Sequence, residues 1–91
     1  MKILAVCAMG IGTSVILKAN AEQAIERLNI DADVEVADIG TARGAAATAD
    51  IVLTSATIAD EIGDVGIPVL VIDSFVDEDE IERKLAAEVR R

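Results

Sequence analysis

Three short runs of purely apolar residues, Ile3-Leu4-Ala5-Val6, Ile51-Val52-Leu53 and Val69-Leu70-Val71-Ile72, recur along a chain of 91 residues. None of them alternates with polar residues, which is the pattern of strands covered on both faces. Between the runs the spacing changes. From Thr13 onward apolar residues fall at helical intervals, at Leu17, Ala21, Ala24, Ile25 and Leu28, with Lys18, Glu22, Gln23, Glu26 and Arg27 on the opposite side. A further segment, Asp33-Val34-Glu35-Val36, does alternate, as a half-exposed edge strand would. Residues 41–49 are Ala-rich and predict a short helix weakened by Gly44, residues 56–62 predict a helical turn, and Pro68 opens the last apolar run. A final helix is expected from about Asp77, with Glu80 completing a capping box and Ile81, Leu85 and Val89 on the buried face. Its leading acids, Asp77, Glu78, Asp79 and Glu80, and its closing Arg90 and Arg91 suit the helix dipole.

Read in order, the segments spell βαβαβαβα. Right-handed crossovers then give an α/β, three-layer flavodoxin- or Rossmann-like domain over residues 1–91, with a four-stranded parallel sheet. The expected strand order is 2-1-3-4, with the first strand central. A ligand belongs beyond the carboxyl ends of the first and third strands, where the chain changes direction across the sheet.

Composition narrows the chemistry. One Phe and no Tyr or Trp leave an aliphatic core and no aromatic set on which bases stack, and a net charge of −9 repels nucleic acid. The chain lacks His, so a His-based triad, a His-ligated metal and a His general base are excluded. A single Cys rules out an internal disulfide and a Cys-rich zinc site. No metal or organic cofactor is expected. The uncharged stretch from residue 3 to 17 is broken by Gly10, Gly12, Thr13 and Ser14 and is shorter than the roughly 20 apolar residues a membrane span needs. A cytoplasmic chain without membrane insertion is expected.

What remains is the segment after the first strand: Cys7-Ala8-Met9-Gly10-Ile11-Gly12-Thr13-Ser14. Two glycines allow a loop to turn its N–H groups inward, and the helix that follows presents its positive end; together these form a phosphate cradle. Cys7 lies at the mouth, where the same groups favour the thiolate, the nucleophilic form. The amides of residues 8–14 are therefore candidate phosphate ligands, with Thr13 and Ser14 also able to donate hydroxyls or to cap the helix. Neighbouring motifs fit less well. Val15 stands where a dinucleotide fingerprint has its third Gly, and no Lys supplies a P-loop. Cys7 and Ser14 have tyrosine-phosphatase spacing, but Thr13 replaces the Arg that would clamp the transferring phosphoryl group. Hydrolysis is disfavoured, and a thiol that accepts phosphate and hands it on is the better fit. A low-molecular-weight phosphatase-like hydrolase and a non-catalytic anion-binding module stay open as alternatives.

At these residues the chain resembles the IIB components of the bacterial phosphoenolpyruvate-dependent sugar phosphotransferase system (PTS), most closely the ascorbate type, near the galactitol and lactose/cellobiose types. The opening Lys2-Ile3-Leu4-Ala5-Val6-Cys7 and the following Gly10-x-Gly12-Thr13-Ser14 are similar to that family's phosphocysteine loop. Ala49-Asp50-Ile51-Val52-Leu53-Thr54-Ser55 and Ile58-Ala59-Asp60-Glu61-Ile62 are similar to its third strand and following helix. Ala8 departs from the ascorbate-type pattern, which has Gly there. The resemblance implies a phosphotransferase in which Cys7 takes phosphate from a phosphohistidine on a IIA partner. The phosphate then passes to a sugar, L-ascorbate in the type resembled, bound by a membrane IIC partner. It also implies a place in the cytoplasm, peripheral to the inner membrane through IIC.

Outside the loop, the acids at 77–80 are expected at the reactive rim, as dipole complement or as a partner-docking patch. Thr54 and Ser55 end the third strand across from Cys7, able to touch phosphate or simply to finish the strand. Arg43, a base within an acidic stretch, is either a phosphate neighbour or surface solvation. Asp38 has no assigned role.

Overall fold

The first apolar run becomes β1 (Lys2–Val6), in which Ile3, Leu4, Ala5 and Val6 are at most 1% exposed. The remaining elements are α1 (Ile11–Arg27), β2 (Asp33–Ala37), α2 (Ile39–Ala46), β3 (Ile51–Thr54), α3 (Ala56–Ile62), β4 (Val69–Val71) and α4 (Glu78–Val89). The structure, a computed structural model, describes residues 1–7 and 11–89, and of residues 11–14 the backbone alone. All three strand pairs are parallel and the order is β2-β1-β3-β4, as the βα alternation predicts. Register sets Leu4 between Glu35 and Val52, and Ala5 between Val36 and Leu53.

Alternation along the strands divides the core in two. Ile3, Ala5, Cys7, Ile51 and Leu53 pack with Leu17, Ala21 and Ala24 of α1 and with Ile81 and Leu85 of α4. On the other face, Leu4, Val6 and Val52 meet Ala42 and Ala46 of α2 and Ile58 and Ile62 of α3. Alanines on α1 and α2 bring the helices close to the sheet, so a core without large aromatics still closes.

Caps account for the boundaries that spacing placed inexactly. α2 begins at Ile39 rather than near 41, because the Asp38 carboxylate accepts the Thr41 N–H at 2.9 Å and its hydroxyl at 3.0 Å. Ser55 caps α3 in the same way, accepting the Ile58 N–H at 3.4 Å. α1 ends where Asn29 adopts φ 56° and the Ile30 N–H returns to the Ile25 carbonyl at 2.9 Å, a six-residue closure that Asn tolerates. In β2 the alternation buries Val34 but leaves Val36 41% exposed. Ile72, expected in the fourth strand, lies just beyond β4 and is nonetheless fully buried. Arg90 and Arg91, expected to close α4, lie outside the described residues.

Candidate functional site

In a parallel sheet every strand ends at the same edge and every following helix starts there, so the chemistry collects at that edge. Cys7 is the first residue beyond β1, the strand at which the chain switches sides. Its N–H donates to the Ala37 carbonyl at the end of β2 (3.2 Å), and its side chain joins the α1/α4 core, leaving the residue 3% exposed. α1 starts at Ile11 with no acidic residue in its first turn, so its positive end is not neutralised from within the helix. Of the predicted phosphate ligands, Ala8, Met9 and Gly10 lie outside the described residues, and Ile11, Gly12, Thr13 and Ser14 are described by their backbone alone. The backbone of α1 does correct one expectation. Thr13 and Ser14 lie inside the helix, so neither stands ahead of it as the capping residue.

The secondary candidates resolve into structural duties. The Thr54 hydroxyl, fully buried, donates to the Val6 carbonyl at 2.8 Å. At the other end of the same strand pair the Asp50 N–H donates to the Lys2 carbonyl at 2.8 Å. β3 leaves the sheet at Ser55 to cap α3, and the Thr54 side chain supplies the donor for Val6 that the departing main chain gives up. A buried carbonyl left unpaired costs about 1–3 kcal/mol. Arg43 points away from the Cys7 edge: its Nε donates to the Ile62 carbonyl at the last residue of α3 (2.9 Å), at the opposite end of the sheet. It is therefore a cap for α3, not a phosphate neighbour.

The acids at 77–80 do not form one patch. The Asp77 carboxylate caps α4 through the Glu80 N–H (3.1 Å), and Glu78 faces Arg27 at 3.8 Å. Glu80 is 4% exposed and accepts from the N–H of Asp73 (2.7 Å), the N–H of Ser74 (3.0 Å) and Nζ of Lys84 (2.7 Å). These donors, led by the Asp73 N–H and then Lys84, lower its pKa from 4.5 to about 2 against the opposing effect of burial. Only Asp77 and Asp79 remain exposed for a partner.

Sequence reading missed an apolar rim. Val15 (54% exposed) and Ile16 of α1, Val36 near the end of β2, and Val76 (70% exposed) in the β4–α4 connection all stand on the Cys7 side of the sheet. The signal was present in α1, where Val15 and Ile16 fall off the Leu17–Ala21–Ala24 stripe. A groove lined by Leu28, Asn29, Ile30, Ala86 and Val89 sits at the opposite end. Among the described residues no group of acidic or thiol side chains is placed to hold a metal, and no helix is long and apolar enough to cross a membrane.

The sequence profile of the PTS lactose/cellobiose-specific IIB subunits matches residues 2–87. The chain belongs to that family. It is a phosphoryl-transfer subunit of a sugar phosphotransferase system, and thus a phosphotransferase. Among its relatives, the ascorbate-specific EIIB component of Mycoplasma pneumoniae is 29% identical over 94% of this chain and 92% of its own length. The ascorbate-specific EIIB component of Salmonella choleraesuis is 38% identical over 72% of this chain, a match spanning 65% of that relative. In fold, this IIB subunit is similar to the lactose-specific IIB domain of Streptococcus pneumoniae, with TM-score 0.62 and 15% identity over 99% of this chain and 95% of that one. The cellobiose-specific IIB protein of Borrelia burgdorferi superposes comparably, with TM-score 0.61 and 23% identity over 98% and 86% of the two chains.

Proposed function

We propose that Cys7 is the phosphoryl acceptor of this IIB subunit. The observation that carries the reading is its position: the first residue past β1, at the switch point, ahead of a helix whose first turn holds no acid. In the forward step the Cys7 sulfur, as thiolate, attacks the phosphorus of a phosphohistidine on a IIA partner. A P–S bond forms, the P–N bond breaks, and the leaving imidazole takes up a proton. In the second step a sugar hydroxyl oxygen attacks the same phosphorus, the P–S bond breaks, and the hydroxyl proton is released to a base or to solvent. The amides of residues 8–14 are assigned to the phosphoryl oxygens, with no metal or organic cofactor.

Because Cys7 is 3% exposed, the donor has to open this edge before in-line attack. The exposed Val15, Ile16 and Val76 toward the same edge of the sheet suit a protein partner that docks and leaves. A IIA donor and a membrane IIC acceptor are the partners of this reading, which places residues 1–91 as one domain on the cytoplasmic side of the inner membrane through IIC. L-ascorbate is the proposed sugar, following the names of the relatives from M. pneumoniae and S. choleraesuis.

The test is transfer itself. The chain is incubated with phosphoenolpyruvate, the general transfer proteins and a cognate IIA, and the Cys7 peptide is weighed. A mass increase of one phosphoryl group, lost in Cys7→Ser, is the expected result. Absence of the adduct with every IIA tried, or an undiminished adduct in Cys7→Ser, sinks the reading. Adding IIC vesicles with ascorbate, lactose or cellobiose then decides the sugar by which one discharges the adduct.

A further inference from the structure

We propose that Thr54 is a positioning residue for phosphoryl transfer, orienting Cys7 by holding the peptide that precedes it. The proposal rests on Cys7 being the acceptor. Thr54 cannot touch a phosphoryl group on that sulfur directly. By strand alternation its side chain lies on the α2/α3 side of the sheet with Val52, whereas the Cys7 side chain packs on the α1/α4 side. Its reach is through the main chain. The Val6–Cys7 peptide is a rigid plane, and both of its polar groups are held. The Thr54 hydroxyl donates to the carbonyl at 2.8 Å, and the N–H donates to the Ala37 carbonyl at 3.2 Å.

Two anchors on opposite sides fix the rotation of that plane, and with it the direction in which the Cys7 Cα–Cβ bond leaves the strand. One anchor alone leaves the plane free to rock. Thr54 and Glu80 are the two buried polar side chains among the described residues, and Glu80 serves the β4–α4 connection. A hydroxyl is thus placed at the end of an otherwise apolar strand, against the residue before the nucleophile. In-line transfer is sensitive to such placement, a displacement on the order of 1 Å being enough to slow a reaction about 100-fold.

Three variants separate orientation from packing: Thr54→Val keeps the shape without the hydroxyl, Thr54→Ser keeps the hydroxyl, and Thr54→Ala keeps neither. Single-turnover transfer from phosphorylated IIA is followed on each, with melting recorded to establish folding. Thr54→Val and Thr54→Ala are expected to slow the saturated rate about 5- to 50-fold. The half-saturating IIA concentration should be unchanged, and Thr54→Ser should stay within about 2-fold of the parent. Should Thr54→Val fail to fold, the Ser and Ala pair decides. A Thr54→Val or Thr54→Ala rate equal to the parent's overturns the proposal, as does an equal loss in Thr54→Ser and Thr54→Ala. Failure of the unsubstituted chain to take phosphate on Cys7 removes the acceptor reading itself, a result distinct from either.

Discussion

Glu80 accepts the backbone N–H of Asp73 at 2.7 Å, seven residues back along the chain. The capping-box spacing had pointed it at Asp77. Only half of that box forms: the Asp77 carboxylate takes the Glu80 N–H, while the Glu80 carboxylate passes over the cap to the start of the β4–α4 connection. Removing its charge should loosen that connection. Glu80→Gln is expected to cost about 2 kcal/mol in urea unfolding, the scale for hydrogen bonds to a charged group. It should also speed amide exchange at Asp73 and Ser74. An unchanged midpoint and unchanged exchange would contradict this.

Acid should reach the same network late. In the folded chain Glu80 titrates at about 2, against 4.5 ordinarily, so its contribution is complete above about pH 4.5 and is lost as pH falls toward 2. The stability difference between the parent chain and Glu80→Gln should therefore be constant near neutrality and shrink between those two values. A difference that stays level across that range would refute the assignment.

The connection has a second tether. Asn20 of α1 donates its Nδ2 to the Phe75 carbonyl at 2.6 Å, joining the loop to the helix that follows Cys7 and its glycines. Asn20→Ala should cost about 1 kcal/mol. In a double-mutant cycle with Glu80→Gln the losses should not add, because both changes release one loop. Strict additivity would mean that the two tethers act independently.

Gly44 offers a gain. It lies in α2, and a methyl built on it meets nothing within 4 Å. Gly44→Ala should stabilise by about 0.4–1 kcal/mol, chiefly by restricting the unfolded chain. That corresponds to a rise of roughly 2–8 °C in melting temperature for a domain of this size. No rise, or a fall, would show that α2 needs the glycine.

The sheet order was legible because strands covered on both faces write themselves as unbroken apolar runs, and Ile3-Leu4-Ala5-Val6 and Ile51-Val52-Leu53 did so. Cys7 was legible as a candidate because two glycines and a helix follow it. Side-chain duties were not. Arg43 drew notice as a base in an acidic stretch, yet its partner is a carbonyl 19 residues away, a meeting that only the packing of α2 on α3 creates. Thr54 reads as an ordinary strand end until β1 is laid beside β3. Glu80 matched a local motif that its own longer reach overrode.

The apolar rim of Val15, Ile16, Val36 and Val76 gives the acidic balance a colloidal meaning. At neutral pH a charge of −9 keeps such bare edges from meeting one another. Near pH 4.2 that repulsion vanishes, while the Glu80 latch, which releases only toward pH 2, still holds. Toward acid the chain thus loses its charge repulsion before it loses the contacts of the Glu80 carboxylate.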